Sequence, residues 1–249
     1  MKKRLRTLRI TLSAALGIML TLLIATTVLP HGFSAIAKIQ LMPALLSLNI
    51  GILAFWLVAT SLLGRVYCST VCPLGLFQDI CARIGKQLKK KPKRRYRYSA
   101  AHNSLRYAVL AATIIAGIAG AAAVPSLLDP YSAFVRMVGA IVAPSAIGIA
   151  VGGITFVTIG ALAFSGGRTF CNTVCPVGAT LSLASRKPMM RIQIDTSLCI
   201  GCRRCEAECK ASCIDAKNHP VDMSRCVMCL DCIQACLDNA ITYSPAQKK

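Results

Sequence analysis

The sequence predicts an α-helical membrane protein, with four transmembrane helices arranged as two parallel hairpin repeats, that ends in a small α+β domain rich in cysteine. Three observations carry this expectation. Of 249 residues 55% are hydrophobic, and the mean hydropathy of +0.60 is higher than a water-soluble surface permits. Four stretches, 10–29, 39–64, 107–128 and 137–167, are free of charged side chains, and each reaches the ~20 residues a helix needs to cross the hydrocarbon core. Fourteen cysteines fall largely within two internal duplications.

Taken in chain order, residues 2–9 hold five Lys and Arg and lead into the 10–29 stretch. Basic residues, an apolar run and "AIA" at 35–37 are also the parts of a secretory signal, but the apolar region exceeds the usual ~7–15 residues, so an uncleaved first span is expected. The connections at 30–38 and 129–136 hold one cation each, Lys38 and Arg136, whereas 65–106 and the chain from Arg168 onward hold eleven each. Twenty-seven cations against two place both termini and the middle loop in the cytoplasm by the positive-inside rule. Helices rather than a barrel are expected because none of these runs alternates strictly. The net charge of +20 then reflects topology. No nucleic-acid partner is expected, because "KQLKKKPKRRYRY" adjoins a span and suits anionic headgroups. Gly117, Gly120, Gly148, Gly152 and Gly160 would let the later helices approach closely.

The first duplication pairs "GRVYCSTVCPLG" (64–75) with "GRTFCNTVCPVG" (167–178) at an offset of 103. Each copy ends a hairpin that starts and finishes on the same side, which predicts two repeats about an axis along the membrane normal. The second duplication pairs "IDTSLCIGCRRCEAEC" (194–209) with "VDMSRCVMCLDCIQAC" (221–236) at an offset of 27. From Asp195 onward seven acidic side chains balance seven basic ones, so residues 190–249 read as a soluble domain following a membrane domain at 1–189.

Cytoplasmic cysteines argue for metal or redox use over disulfides. Cys199, Cys202, Cys205 and Cys209, then Cys226, Cys229, Cys232 and Cys236, give Cys-x2-Cys-x2-Cys-x3-Cys twice, the spacing of two 4Fe-4S clusters. Three thiolates wrap one cubane and the fourth points to its neighbour. Cys199, Cys202, Cys205 and Cys236 are therefore expected to hold one cluster, and Cys226, Cys229, Cys232 and Cys209 the other. Structural zinc is the alternative. Cys213 falls outside the pattern and reads as a packed thiol. This tail resembles bacterial two-cluster ferredoxins over about the last fifty residues, except that Lys210 and Leu237 replace the proline usual after each fourth cysteine.

At the membrane edge, Cys68 with Cys72 and Cys171 with Cys175 supply two thiolates each. Meeting on the repeat axis, they would enclose a third iron–sulfur cluster, with Pro73 and Pro176 starting the helices that leave it and Arg65 and Arg168 offsetting its charge. Ordinary buried cysteines, a zinc knot, or two separate clusters with other fourth ligands are the alternatives. After Pro73, Leu74, Phe77, Ile80, Cys81, Ile84 and Leu88 share one helical face and Gln78, Asp79, Arg83, Lys86 and Lys90 fall mostly opposite, as in a helix lying on the inner leaflet.

The whole chain resembles the membrane-bound ferredoxin-type proteins of the NapH and NosR kind, and is more similar to the short NapH form. That resemblance implies a quinol-oxidising electron-transfer subunit of a bacterial cytoplasmic membrane, with the bilayer, the quinone pool and a redox protein or reductase subunit as partners. An assembly factor supplying electrons for maturation of a respiratory metalloenzyme is the second reading. His31, His102 and His219 lie at depths unsuited to a haem relay, and no nucleophile motif or phosphate loop is present, so the cofactors would carry the chemistry. Proton acceptors for a quinol are sought at His31, Asp129, Tyr131 and Arg136 near one face, or Asp79, His102 and Tyr107 near the other; each is also an ordinary interfacial residue type.

Overall fold

A computed structural model describes residues 2–27, 50–88, 96–121 and 123–245; the expected span at 39–64 lies partly outside them, as do His31 and Lys38. Helix α1 (Lys2–Thr27) and helix α2 (Ile50–Leu63) run through apolar sequence. A short α3 (Tyr67–Thr70) and α4 (Pro73–Leu88) follow. After the segment 96–102 come α5 (Asn103–Ile118), α6 (Ala123–Leu128), α7 (Pro130–Val142) and α8 (Ala146–Gly166). A second short helix, α9 (Thr169–Thr173), and α10 (Pro176–Ala184) precede the tail.

Among the described residues two helical segments, Arg4–Ala25 and Ala146–Gly166, are long and apolar enough to cross a membrane, and the helices at 50–63, 103–118 and 130–142 are shorter. Leu12, Ile18 and Leu22 of α1 and Ile147, Ile154 and Val157 of α8 face outward, the reverse of what a core helix of a soluble domain does.

Two of the expected runs are broken. The 107–128 run stops at Ile118, where Gly120 turns at φ +77° before α6 begins. The 137–167 run is interrupted at 143–145: Pro144 lacks an N–H and disfavours helix in the residue before it, and the Ser145 hydroxyl, accepting from the Gly148 amide at 3.1 Å, starts α8 afresh. Hydropathy alone is blind to both breaks. Of the glycines expected at close helix contacts, Gly152 is one: a Cβ there would meet Ala140 Cβ and Arg136 O at 2.7 Å, whereas Gly120 faces open space.

The sequence repeat reappears as a local structural one. Helix, glycine turn, short helix, proline, helix is the order of α2–α3–α4 and again of α8–α9–α10, with Gly64 at φ +79° and Gly167 at φ +72°. The two sets exchange partners: α4 packs on α8, α10 on α2, while α1 covers α3 and α4 as α5 covers α9 and α10.

In the tail, β1 (Met190–Ile194) pairs antiparallel with β2 (Ile241–Pro245), with Met190 opposite Pro245 and Ile194 opposite Ile241. Between them lie α11 (Arg204–Glu208) and α12 (Asp231–Ala235). The segment 96–102 straps the tail to the helical part: the Tyr96 amide donates to Ala207 O at 3.2 Å and the Ser99 amide to Ser212 O at 3.3 Å. Tyr67, Leu74 and Leu181 from the helices share one continuous core with Ile192, Ile214 and Val227 of the tail.

Candidate metal centres

Cys199, Cys202, Cys205 and Cys236 line one cavity, with Ile194, Ala216 and Ile241 among its walls. Cys209, Cys226, Cys229 and Cys232, with Cys213 beside them, line a second, walled by Ile192, Ile214 and Val227. The fourth cysteine of each run thus sits with the first three of the other. The backbone repeats as well: Gly201 and Met228, Arg203 and Leu230, and Ser212 and Asn239, each pair one repeat apart, all have φ between +50° and +71°. A left-handed non-glycine residue costs roughly 1–2 kcal/mol. Alternating hand turns successive amides toward a common concavity of the kind iron–sulfur sites use. Four sulfurs around an apolar cavity fit a 4Fe-4S cluster. Among the described residues no group of three or more His, Cys, Asp or Glu side chains is gathered closely enough to hold a single metal ion.

Cys213, outside the spacing pattern, is buried with its Sγ 3.4 Å from Cys209 Sγ. The Cys213 amide also donates to that sulfur at 3.5 Å. Hydrogen bonding from Cys213 draws the Cys209 thiol below an ordinary thiol and lifts Cys213 well above one. The spacing assigned Cys213 no such part.

In the repeated motif Cys68, Cys72, Cys171 and Cys175 are all at least 96% buried, and burial followed by neighbouring sulfurs raises Cys72 and Cys175 well above an ordinary thiol. Arg65 and Arg168, also buried, are exchanged between the repeats. Arg65 Nη2 donates to Cys171 O at 3.2 Å, and Arg168 Nη1 donates to Cys68 O at 2.8 Å. Gly75 and Gly178 leave room for them: a Cβ at Gly75 would stand 2.5 Å from Arg168 Nη1, and one at Gly178 2.9 Å from Arg65 Nη2. Each sulfur meets an N–H: Cys175 that of Gly178 at 3.3 Å, Cys72 that of Gly75, Cys171 the Gln78 amide at 3.3 Å, and Cys68 the Arg65 guanidinium at 3.7 Å. Arg65 Nε is buried without a hydrogen-bond partner. Four enclosed sulfurs, each offered a donor and flanked by buried cations, suit an anionic thiolate-bound group. Pro73 and Pro176 open α4 and α10 as expected from the sequence.

Gln78 and Asp79 correct the expectation of a solvated polar face on α4. Gln78 is fully buried and Asp79 is enclosed by Arg168 (3.0 Å), Lys210 (3.4 Å) and Arg9 (3.5 Å). Burial opposes ionisation of Asp79, but Arg168, then Lys210 and Arg9, hold it well below the usual carboxylate range. The face with Ile80, Ile84 and Leu88 is the exposed one. A clue lay in the repeat itself, since the position matching Gln78 is Leu181. Other proton-acceptor candidates have structural partners: Asp129 caps α7 by accepting from the Ser132 amide at 2.7 Å, Arg136 donates to Ser126 O at 2.7 Å, and the Tyr107 hydroxyl accepts from Arg186 at 3.2 Å. His102 precedes α5 without capping it.

The second tail cavity lies against both membrane-edge motifs. Ser69 Oγ donates to Met228 O at 3.5 Å and Arg65 Nη1 to Ser224 O at 3.1 Å. From the other repeat, the Arg168 amide donates to Lys210 O at 2.9 Å and Asn172 Nδ2 to Ala211 O at 3.4 Å. The first cavity is farther out, where Cys202 is exposed.

Residues 46–92 and 149–194 match a 4Fe-4S binding domain family, so the match takes in both copies of the membrane-edge motif. Among curated proteins, the chain is similar to the uncharacterized proteins MJ0750 and MJ0749 of Methanocaldococcus jannaschii. Identity to MJ0750 is 29%, over 77% of this chain and 77% of that protein; to MJ0749 it is 26%, over 77% and 69%. It is also 25% identical, over 80% of its length, to YccM of Escherichia coli, a protein named as a candidate for electron transport, of which it spans 57%. No solved structure matches. These likenesses, with the cysteine geometry, support an iron–sulfur electron-transfer protein.

Proposed function

We propose that the chain is a membrane-bound quinol-oxidising subunit that passes electrons between the quinone pool and a partner redox protein. Its bilayer part would consist of two parallel hairpin repeats with both termini cytoplasmic. The reading is supported by one observation: the cavity lined by Cys209, Cys226, Cys229 and Cys232 packs against both copies of the motif that carries Cys68, Cys72, Cys171 and Cys175, and each set of four cysteines is drawn from both halves of a duplication. When bound at these sites, 4Fe-4S clusters supply one-electron transfer. The chain's own contribution is to bind and insulate. Cys68, Cys72, Cys171 and Cys175 would hold the group at the membrane edge, Cys209, Cys226, Cys229 and Cys232 the next, and Cys199, Cys202, Cys205 and Cys236 the outermost. Arg65 and Arg168 offset thiolate charge, and the apolar walls of the tail cavities exclude water. The resemblance to the short NapH form, the outward apolar surface of α1 and α8 and the asymmetric placement of basic residues support the membrane and quinol parts.

Anaerobically purified full-length protein should contain about twelve irons per chain, and a Cys72→Ala, Cys175→Ala double variant about eight. A short-chain quinol should reduce the centres, as followed by low-temperature EPR. Full iron in the double variant would remove the membrane-edge site, and centres that no quinol reduces would remove the quinol reaction.

A further inference from the structure

In the two duplicated runs the residue after the fourth cysteine differs in kind, Lys210 in one and Leu237 in the other. The structure treats the two differently. Leu237 is 68% exposed, whereas Lys210 is 9% exposed. The Lys210 ammonium lies 2.9 Å from Asp231 Oδ2 and 3.4 Å from Asp79 Oδ1. Asp231 belongs to the tail and stands next to Cys232; Asp79 belongs to α4, the helix that leaves the first membrane-edge motif. The backbone of Lys210 is held as closely as its side chain. Its carbonyl accepts from the Arg168 amide, and a Cβ on Gly167 would come within 2.6 Å of that oxygen.

The charges around this lysine do not cancel. Asp79 is also approached by Arg9 and Arg168, and Asp231 by Arg6 at 2.7 Å. Four cations thus share two carboxylates, and Lys210 directly follows Cys209, which lines the second cavity. At the first cavity Arg203 is committed to Glu206 at 3.0 Å, and the lining also holds His219 and the acidic Asp238. Burial magnifies the difference, because a charge in a low-dielectric seam is poorly screened.

We propose that Lys210 is a positioning residue that makes the two tail sites electrostatically unequal: it ties the Cys209, Cys226, Cys229 and Cys232 site to the membrane-edge motif and renders it the more easily reduced of the two. Gaining one electron adds one negative charge to a site, and a fixed ammonium nearby stabilises that charge, so the equilibrium with any one-electron donor shifts toward the reduced form. The inference rests on the reading that the tail holds two 4Fe-4S clusters.

The test is an EPR-monitored potentiometric titration of the full-length protein with dithionite as the electron donor. Wild type, Lys210→Gln, Lys210→Met and Lys210→Arg are compared at equal iron content. In both neutral variants the higher of the two tail transitions should move to lower potential while the other stays in place, and Lys210→Arg should keep the wild-type pattern. Unchanged transitions in Lys210→Gln, equal movement of both, or a shift in Lys210→Arg as large as in Lys210→Gln would overturn the proposal. If Lys210→Met loses tail iron, the glutamine variant, whose side chain is polar and can still donate a hydrogen bond, carries the comparison. Wild-type protein without any tail signal would instead refute the reading of the tail as a cluster domain.

Discussion

Gly178→Ala would strike the membrane-edge site through one added methyl group. The new Cβ would stand 2.2 Å from Cys171 O and 2.9 Å from Arg65 Nη2. The first obstacle is backbone and cannot rotate away. The second is the guanidinium that crosses from the other repeat to hold Cys171. Forcing a methyl into a packed interior costs about 1–3 kcal/mol, offset by about 0.5–1 kcal/mol because alanine is the better helix former. The expected result is a clear loss of thermal stability in detergent, together with loss of about four irons per chain as the sulfurs separate. Gly153→Ala in α8 is the control: its Cβ would meet nothing within 4 Å, so the midpoint should stay or rise slightly and iron should not change. Coincident midpoints and equal iron for Gly178→Ala and wild type would refute the crossed-arginine packing.

Gln78→Leu, which copies the residue at the matching position of the other repeat, removes the donor 3.3 Å from Cys171 Sγ. Iron content should be retained while the membrane-edge EPR transition moves to lower potential, and an unshifted transition would remove Gln78 from the site. Tyr96, pushed up to about 12 by burial and then by Asp79 and Glu208, should ionise above an ordinary phenol in an absorbance titration. Because the unfolded phenol ionises near ~10, the folded state binds the extra proton above that pH. Stability due to Tyr96 is therefore intact below pH ~10 and falls as pH rises toward the folded value of about 12, and Tyr96→Phe should flatten that fall.

The cysteine sets were legible because the chemistry is written in spacing. Three thiols at intervals of three residues form a local loop, and the lone fourth has to look elsewhere, so the cross-assembled cavities follow from the run itself. The repeated "CPxG" string likewise announces a proline-started helix and a glycine facing something close. What that something is was not legible. Arg65 reaches Cys171 across 106 positions of chain, and no local pattern encodes such a contact. Gln78 and Asp79 looked solvated because polarity on an amphipathic helix ordinarily means water, yet here it means sulfur and guanidinium. The helix breaks at 119–121 and 143–145 hid within apolar runs because hydropathy averages over a single glycine or proline. Lys210 stood out as a departure from the ferredoxin pattern, but its two carboxylate partners come from elements far apart in sequence.

The crossing of Arg65 and Arg168 also bears on how the halves can be manufactured. Either half alone would present a guanidinium with no carbonyl to grasp and a glycine notch with nothing in it. Splitting the gene between the repeats should therefore yield fragments that survive only when produced in equal amounts and captured by one another, so the single polypeptide secures a matched supply of both.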